Sequence, residues 1–303
     1  MTFPTPHLEK INRAIANEKM PPDDAAALER AKAKYCEWIA RLDNVQGTPD
    51  ERLSRLVALY NEYRSWVDVD LIFDSEQDFL YRQKGQLKLD NSVLEEFLPR
   101  LISPAVIPEL RDLGVRIGPA SSFASAYFMS SLASDEAGGG LSIRAKDQDF
   151  AISRPLHLRA SHSGTFTPYS GVETSLAYVA AECKTNLDKT MFQEASATAR
   201  DIKAAVTGAK YFVLCEWLDM TPLSTAATDI DEVLILRGKR LGSHIRRHFD
   251  TAAKRQARRA EYTAHLSQYP ARVQVFRRFV RHIQQIFTNE LPIESDVLER
   301  GYF

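Results

Sequence analysis

The pattern of apolar and polar positions changes character partway along the chain. Through the first ~110 residues, apolar side chains recur at helical spacing. Pro21-Pro22-Asp23 opens a segment rich in Ala, Leu, Lys and Glu that runs to Leu42, and Asn44 to Pro49 reads as a turn. Thr48, Pro49 and Glu51 form a capping box with proline at the first helical position. The helix that follows carries Leu53, Leu56, Val57, Tyr60 and Tyr63 on one stripe. Asn91-Ser92 opens another helix around Val93, Leu94, Phe97 and Leu98, ended by Pro99 or Pro104. Between them, Phe79 to Lys88 mixes aromatic, amide and basic side chains around Gly85. It is expected either as a solvated hairpin or loop, or as a segment that holds phosphates and reads base edges.

After Gly138-Gly139-Gly140, expected as a flexible joint, alternation replaces helical spacing. Leu141 to Leu158 predicts two strands or a bent ribbon broken near Pro155. Ala160 to Thr174, rich in Ser, Thr and Gly, predicts a loop. Leu176 to Lys184 predicts a buried strand, Asp188 to Val206 a helix, Lys210 to Leu218 a strand, and Val233 to Leu236 a short one. Two helices close the chain. The last is strongly amphipathic, with Phe276, Phe279, Val280, Ile283 and either Ile286 or Phe287 on one face. The expected organisation is a mostly helical region over 1–115, serving DNA recognition or dimerisation, and a mixed α/β catalytic domain over 116–303.

Composition narrows the class. With 44% hydrophobic and 26% charged residues, the chain reads as an ordinary globular protein. No secretory signal or membrane span is visible, and a cytoplasmic home is expected. The cysteines, Cys36, Cys183 and Cys215, fit neither a zinc site nor a disulfide framework. The net charge is -1, yet Arg237 to Arg259 holds nine Lys or Arg and one acid, Asp250. Such a concentration suits docking to a polyanion, although solvated basic helices share it. At helical spacing, Arg240, His244, Arg247, Lys254 and Arg258 would form one phosphate-contacting stripe.

Candidate chemistry sits where the strands turn polar. Side chains alternate along a strand, so Glu182 and Lys184 share one face and Cys183 packs on the other. Asp149 lies in Asp147-Gln148-Asp149-Phe150-Ala151-Ile152, where a polar stretch becomes apolar. Two carboxylates can hold a hard cation such as Mg2+. A nearby lysine can orient water or offset charge on a reacting phosphate. The alternative for Glu182 and Lys184 is an ion pair at a strand end. His157 and His162 have no partner at metal-ligand spacing.

An acid on one strand and Glu-x-Lys on the next resembles the PD-(D/E)xK nucleases. The chain is most similar to type II restriction endonucleases reading interrupted CTNAG-core sites such as CCTNAGC. The residues that carry the likeness are Phe73 to Ser92, Asp147 to Ile152, and Ala181-Glu182-Cys183-Lys184-Thr185 onward to Met191. The resemblance implies a mixed sheet flanked by helices, Mg2+ dependence, and 5′-phosphate ends. It implies catalytic Asp149, Glu182 and Lys184, with Asp149 and Glu182 holding metal and Asp147 and Glu173 as fallback acids. Gln148 stands where the family often has proline, and the step from Asp149 to Glu182 is long. Glu95 or Glu96 would supply an additional acid from a helix. Arg82, Lys84 and Lys88, with Arg240, Arg247, Lys254 and Arg258, are the expected DNA contacts. Double-stranded DNA is the expected partner, cut by a homodimer or by a heterodimer with a related subunit. The N-terminal helices or the final helix would form the interface. A repair or recombination nuclease, or a DNA-binding module that kept the fold, are the competing functions.

Overall fold

Five strands form one sheet; helices from both ends of the chain pack on one face, and a helix between two of the strands covers the other. The structure, a computed structural model, describes residues 3–133, 136–288, 298, 299 and 301. Helices α1 (Pro6–Ile15), α2 (Pro22–Asp43), α3 (Pro49–Trp66), α4 (Asp78–Leu87) and α5 (Ser92–Leu101) come first. The capping box forms as expected: Glu51 N–H donates to the Thr48 hydroxyl, and the Glu51 carboxylate accepts from Thr48 N–H at 2.9 Å. Past Trp66 the helix widens into a π-helical stretch, Val67–Phe73. Helix α5 runs through Pro99, which has no N–H to donate to the carbonyl of Glu95 one turn earlier. The Phe79–Lys88 segment is helix α4 rather than a hairpin or loop. It ends at Lys88, which takes the left-handed conformation (φ 53°).

The strands are β1 (Arg116–Phe128), β2 (Leu141–Ala160), β3 (Ser170–Leu187), β4 (Lys210–Leu218) and β5 (Glu232–Lys239), hydrogen-bonded in that order. β1, β2 and β3 pair antiparallel, while β3, β4 and β5 are parallel. The β3 to β4 connection is helix α6 (Lys189–Ala205), whose N-terminal Asp188 carboxylate accepts from Met191 N–H at 2.9 Å. Strand β1 is absent from the sequence reading, because its Gly, Pro and Ser content hides the alternation. The three glycines 138–140, expected as a flexible joint, lie between β1 and β2. They close the β1–β2 hairpin, all at positive φ, and a Cβ on Gly138 would collide with the Ala160 carbonyl. β2 continues unbroken through Pro155, beyond the last β1 pair at Ser153, where the strand has only β3 as neighbour. β3 begins at Ser170, so the connecting loop is much shorter than the Ser/Thr content suggests.

The chain closes with α7 (Ser243–Arg246), α8 (Ala252–Ala257), α9 (Arg259–Gln268) and α10 (Val273–Thr288). On α10, Phe276, Phe279, Val280 and Ile283 are buried and Ile286 packs beside them, while Phe287 is exposed. One core joins α1, α2, α3, α5 and α10 to the face of the sheet carrying Phe150, Val179, Ala181, Cys183 and Phe212. A second core packs α6 on the opposite face, against Ala151, Ala180, Tyr211 and Val213. The helical and sheet segments therefore share their main core. A buried ion network fixes their relation. Arg64 of α3 grips the Glu216 carboxylate of β4 with two hydrogen bonds of 2.8 Å, Tyr60 adds one of 2.6 Å, and Arg237 of β5 lies 3.8 Å away. Among the described residues, no helix is long and apolar enough to cross a membrane.

Candidate active site

The β2–β3 ladder pairs Phe150 with Ala181, and one step further stand Asp149 and Glu182. Both therefore emerge side by side on the face that carries Ala151 and Ala180. Lys184 follows on the same face of β3, and its Nζ lies 2.6 Å from Glu182 Oε1. Cys183 points the other way into the main core, fully buried, with burial pushing its thiol well up and out of nucleophilic range. Its backbone N–H donates to Asp149 Oδ2 at 2.8 Å, so the two strands lock the Asp149 carboxylate at the ladder's end.

Electrostatics mark this as a crowded acidic spot. Burial raises the Asp149 pKa, and the Glu182 charge adds to that, against the Cys183 N–H and Lys184, which lower it. Glu95, on α5, is pushed up to about 7, first by burial and then by the Asp149 charge. Its Oε1 accepts from Asn91 Nδ2 at 2.7 Å. Lys184 moves upward: burial works against its charge, but the Glu182 hydrogen bond and the two carboxylate charges outweigh it. It stays an ammonium at neutral pH. Lys88 adds positive charge near both Asp149 and Glu95.

Asp149, Glu182, Lys184 and Lys88 open onto a cleft of about 660 Å³, which Glu95 does not line. Asp147, Asp149, Glu182 and Lys184 line one part of it; Arg82, Lys84 and Lys88 reach it from α4, and Arg240 from beyond β5. Lys84 is half-buried with its ammonium over the Tyr81 ring (4.3 Å), and burial lowers its pKa. Other expected residues fall elsewhere. Glu96 is consumed structurally, accepting from Tyr35 Oη at 2.8 Å, His7 N–H at 3.0 Å and Arg100 at 3.2 Å. The fallback Glu173 sits opposite His157 on the outer half of the β2–β3 hairpin, outside this cleft. Arg247, Lys254 and Arg258 do not line it either. The stripe presumed one continuous helix, but α7, a 3-10 turn and α8 break the segment. Lys254 pairs with Asp250 (2.9 Å) and Arg258 with Glu261 (3.1 Å).

Two cleft residues escape the sequence reading. Tyr211, buried on β4, directs its hydroxyl to Glu182 Oε2 at 3.4 Å. In sequence it is one more apolar position of a buried strand. Arg246, on α7, lines the cleft beside Arg240 and meets Asp219 at 3.8 Å. Only the break after α7 singles it out.

The donor set suits a hard divalent cation. Asp149, Glu182 and Glu95 are oxygen donors; beyond burial, the Asp149 charge pushes the Glu95 pKa up and the Glu182 charge pushes that of Asp149 up, a repulsion that a bound cation relieves. As placed, with Glu182 held by Lys184, no three or more His, Cys, Asp or Glu side chains converge on one point among the described residues.

A mixed five-stranded sheet with helices on both faces, an Asp on one strand and Glu-x-Lys on the next, and a cation-lined cleft define the restriction-endonuclease class of nuclease. The family model of the Bpu10I restriction endonuclease matches residues 86–303. The chain belongs to that family, and it is a site-specific deoxyribonuclease, a type II restriction endonuclease that binds DNA. Among solved structures it is similar to a chain of the native BbvCI A2B2 tetramer. That match has a TM-score of 0.55 at 19% identity, covering 87% of this chain and 97% of that one. No curated protein matches the chain.

Proposed function

We propose that the chain is a Mg2+-dependent endonuclease that hydrolyses double-stranded DNA at an interrupted CTNAG-type site and leaves 5′-phosphate ends. The observation that carries the chemistry is the juxtaposition of Asp149 and Glu182 one step past the Phe150–Ala181 pair, with Lys184 at 2.6 Å. Asp149 and Glu182 would hold the cation, with Glu95 as the additional acid. When bound, it would polarise the phosphate and lower the pKa of water. The chain's own groups do the rest. Lys184 remains protonated and offsets charge that builds on the phosphate oxygens. Asp149 is oriented by the Cys183 N–H, and Tyr211 steadies the free oxygen of Glu182. Lys84, Lys88, Arg82, Arg240 and Arg246 form the positive wall that positions the backbone. In this reading residues 116–303 carry Asp149, Glu182 and Lys184, and residues 1–115 add Glu95 and the Arg82, Lys84 and Lys88 part of the wall.

One chain carries one such centre, so cutting both strands takes two chains, a homodimer or a pairing with a related subunit. Digesting a long DNA of known sequence with Mg2+, with and without EDTA, and sequencing the ends tests the proposal. Discrete fragments sharing a CTNAG-type core and 5′-phosphates are expected. Random ends would return the chain to a repair-type nuclease, and EDTA-resistant cutting would remove the metal.

A further inference from the structure

Helix α4 presents Tyr81, Arg82, Lys84, Gly85 and Lys88 to the cleft. Arg82, Gly85 and Lys88 are spaced three apart and all exposed, so they form one row, with the two cations about 9 Å apart along the axis. Two residues of this row work against the helix. Glycine is a poor helix former, and Gly85 stands inside α4, two residues before its end. Neither conformation nor packing asks for it: its φ is not positive, and a Cβ built there would meet no neighbour within 4 Å. The position that does favour glycine is the left-handed C-cap, and there the chain has Lys88. Folding alone would be better served by exchanging the two residue types. What the two positions share is the cleft.

A glycine that the fold does not need suits a surface where a ligand comes close to the helix backbone. The flanking charges say what kind of ligand. Among the described residues, neither Arg82 nor Lys88 forms an ion pair, whereas Lys254 and Arg258, outside the cleft, are paired with Asp250 and Glu261. Unpaired cations on both sides of a bare stretch of helix suit a polyanion. The left-handed turn carries the chain from Lys88 into the core at Leu89 and Asp90, while Lys88 stays exposed at the cleft.

We propose that the Arg82–Gly85–Lys88 row is a seat for the sugar–phosphate backbone of one DNA strand, with Gly85 at the point of closest approach. With no side chain at 85, the strand lies against the helix itself, and the two cations reach its phosphates from either side. Asp149, Glu182 and Lys184 line the same cleft, so the seat fixes where the strand runs relative to them. Gly85 is thus a positioning residue, and it acts through what it leaves out. It reads no sequence, because it offers no donor or acceptor to a base edge.

The seat rests on the positive-wall reading of the cleft, and the test separates the two. Full-length wild type, Gly85→Ala, Gly85→Leu and Arg82→Ala are compared, with Gln86→Ala and Gly208→Ala as controls. Gln86 is exposed on α4 outside the cleft, and Gly208 is equally open elsewhere. Fluorescence anisotropy with Ca2+ as the cation reads binding to a duplex carrying the cleaved site and to one lacking it, and thermal melts read stability. Ala and Leu favour a helix more than Gly, so both variants at 85 should melt about 1 °C above wild type. They should nevertheless bind both duplexes more weakly, roughly tenfold for Ala and roughly 100-fold for Leu, the range that crowding a close contact costs. A loss of binding with a gain in stability excludes a damaged fold as its cause. Both controls should bind like wild type. Gly85 variants that bind within about twofold of wild type overturn the seat, as does a matching loss in Gln86→Ala. A loss confined to the duplex with the cleaved site also overturns it and makes α4 a reader of base edges. Binding untouched by Arg82→Ala sinks the positive wall itself, whereas a loss in Arg82→Ala with the Gly85 variants intact removes the seat alone.

Discussion

Replacing Glu95 by Gln removes the carboxyl that the site burdens most, and it should stabilise the metal-free protein at alkaline pH. Folding raises the Glu95 pKa from 4.5 to about 7, by burial and by the Asp149 charge. Below pH ~4.5 both folded and unfolded chains hold the proton and the group is neutral in its effect. Between 4.5 and 7 the unfolded chain releases its proton first, so stability falls as pH rises. Above about 7 the whole penalty is present, and its ceiling is about 3 kcal/mol for that difference. Relaxation of the pocket makes about 1–3 kcal/mol a realistic range. Gln keeps an acceptor for Asn91 Nδ2 and carries no charge. For a chain of this length, unfolding entropy scales so that 2 kcal/mol moves the melting temperature by about 3 °C. Melts from pH 5 to 9 in EDTA are the assay. The variant should track wild type at pH 5 and exceed it progressively through pH 7. A variant equal to or less stable than wild type at pH 8.5 would refute the carboxylate crowding on which the metal reading depends.

Other outcomes follow from the same geometry. Glu216→Ala leaves Arg64 and Arg237 buried without their carboxylate and should cost about 3–5 kcal/mol in urea unfolding; a loss under ~1 kcal/mol would mean that the network is not what joins α3 to the sheet. Arg246→Ala should weaken DNA binding at every sequence and reduce the log–log salt slope by about one; an unchanged slope would take Arg246 off the backbone. Tyr211→Phe keeps the core intact but removes the hydroxyl near Glu182 Oε2, at a cost of about 1 kcal/mol. Its half-saturating Mg2+ concentration should rise severalfold with the melting temperature little changed, and an unaltered Mg2+ dependence would make Tyr211 packing alone.

Much of the fold is legible where one residue type has one physical use. Thr48 and Glu51 announce a helix start, and the α10 stripe announces a buried face, because capping and periodicity are local. The Glu182/Cys183/Lys184 alternation is local too, which is why its geometry was readable. What the sequence hides depends on partners distant along the chain. Glu95 and Glu96 are equivalent by periodicity, yet Tyr35, His7 and Arg100 claim one while the other faces Asp149. Arg255, part of the basic run, is no DNA contact; it is buried and donates to the carbonyls of Phe73, Ser75 and Gln77. Strand β1 and its bridge to β3 escape because pairing of Ser122 with two strands leaves no mark in local pattern.

The Asp149–Glu182–Lys184 cluster is proposed as the centre that cuts DNA, and Glu182→Gln is its sharpest test. Wild type and variant are assayed in parallel for binding to a duplex carrying the cleaved site and for its cleavage with Mg2+. Binding should persist within a few-fold while cleavage falls by at least ~10³, a loss of about 4 kcal/mol of transition-state stabilisation. Cleavage by the variant at near wild-type rate would contradict the assignment and move the active centre elsewhere.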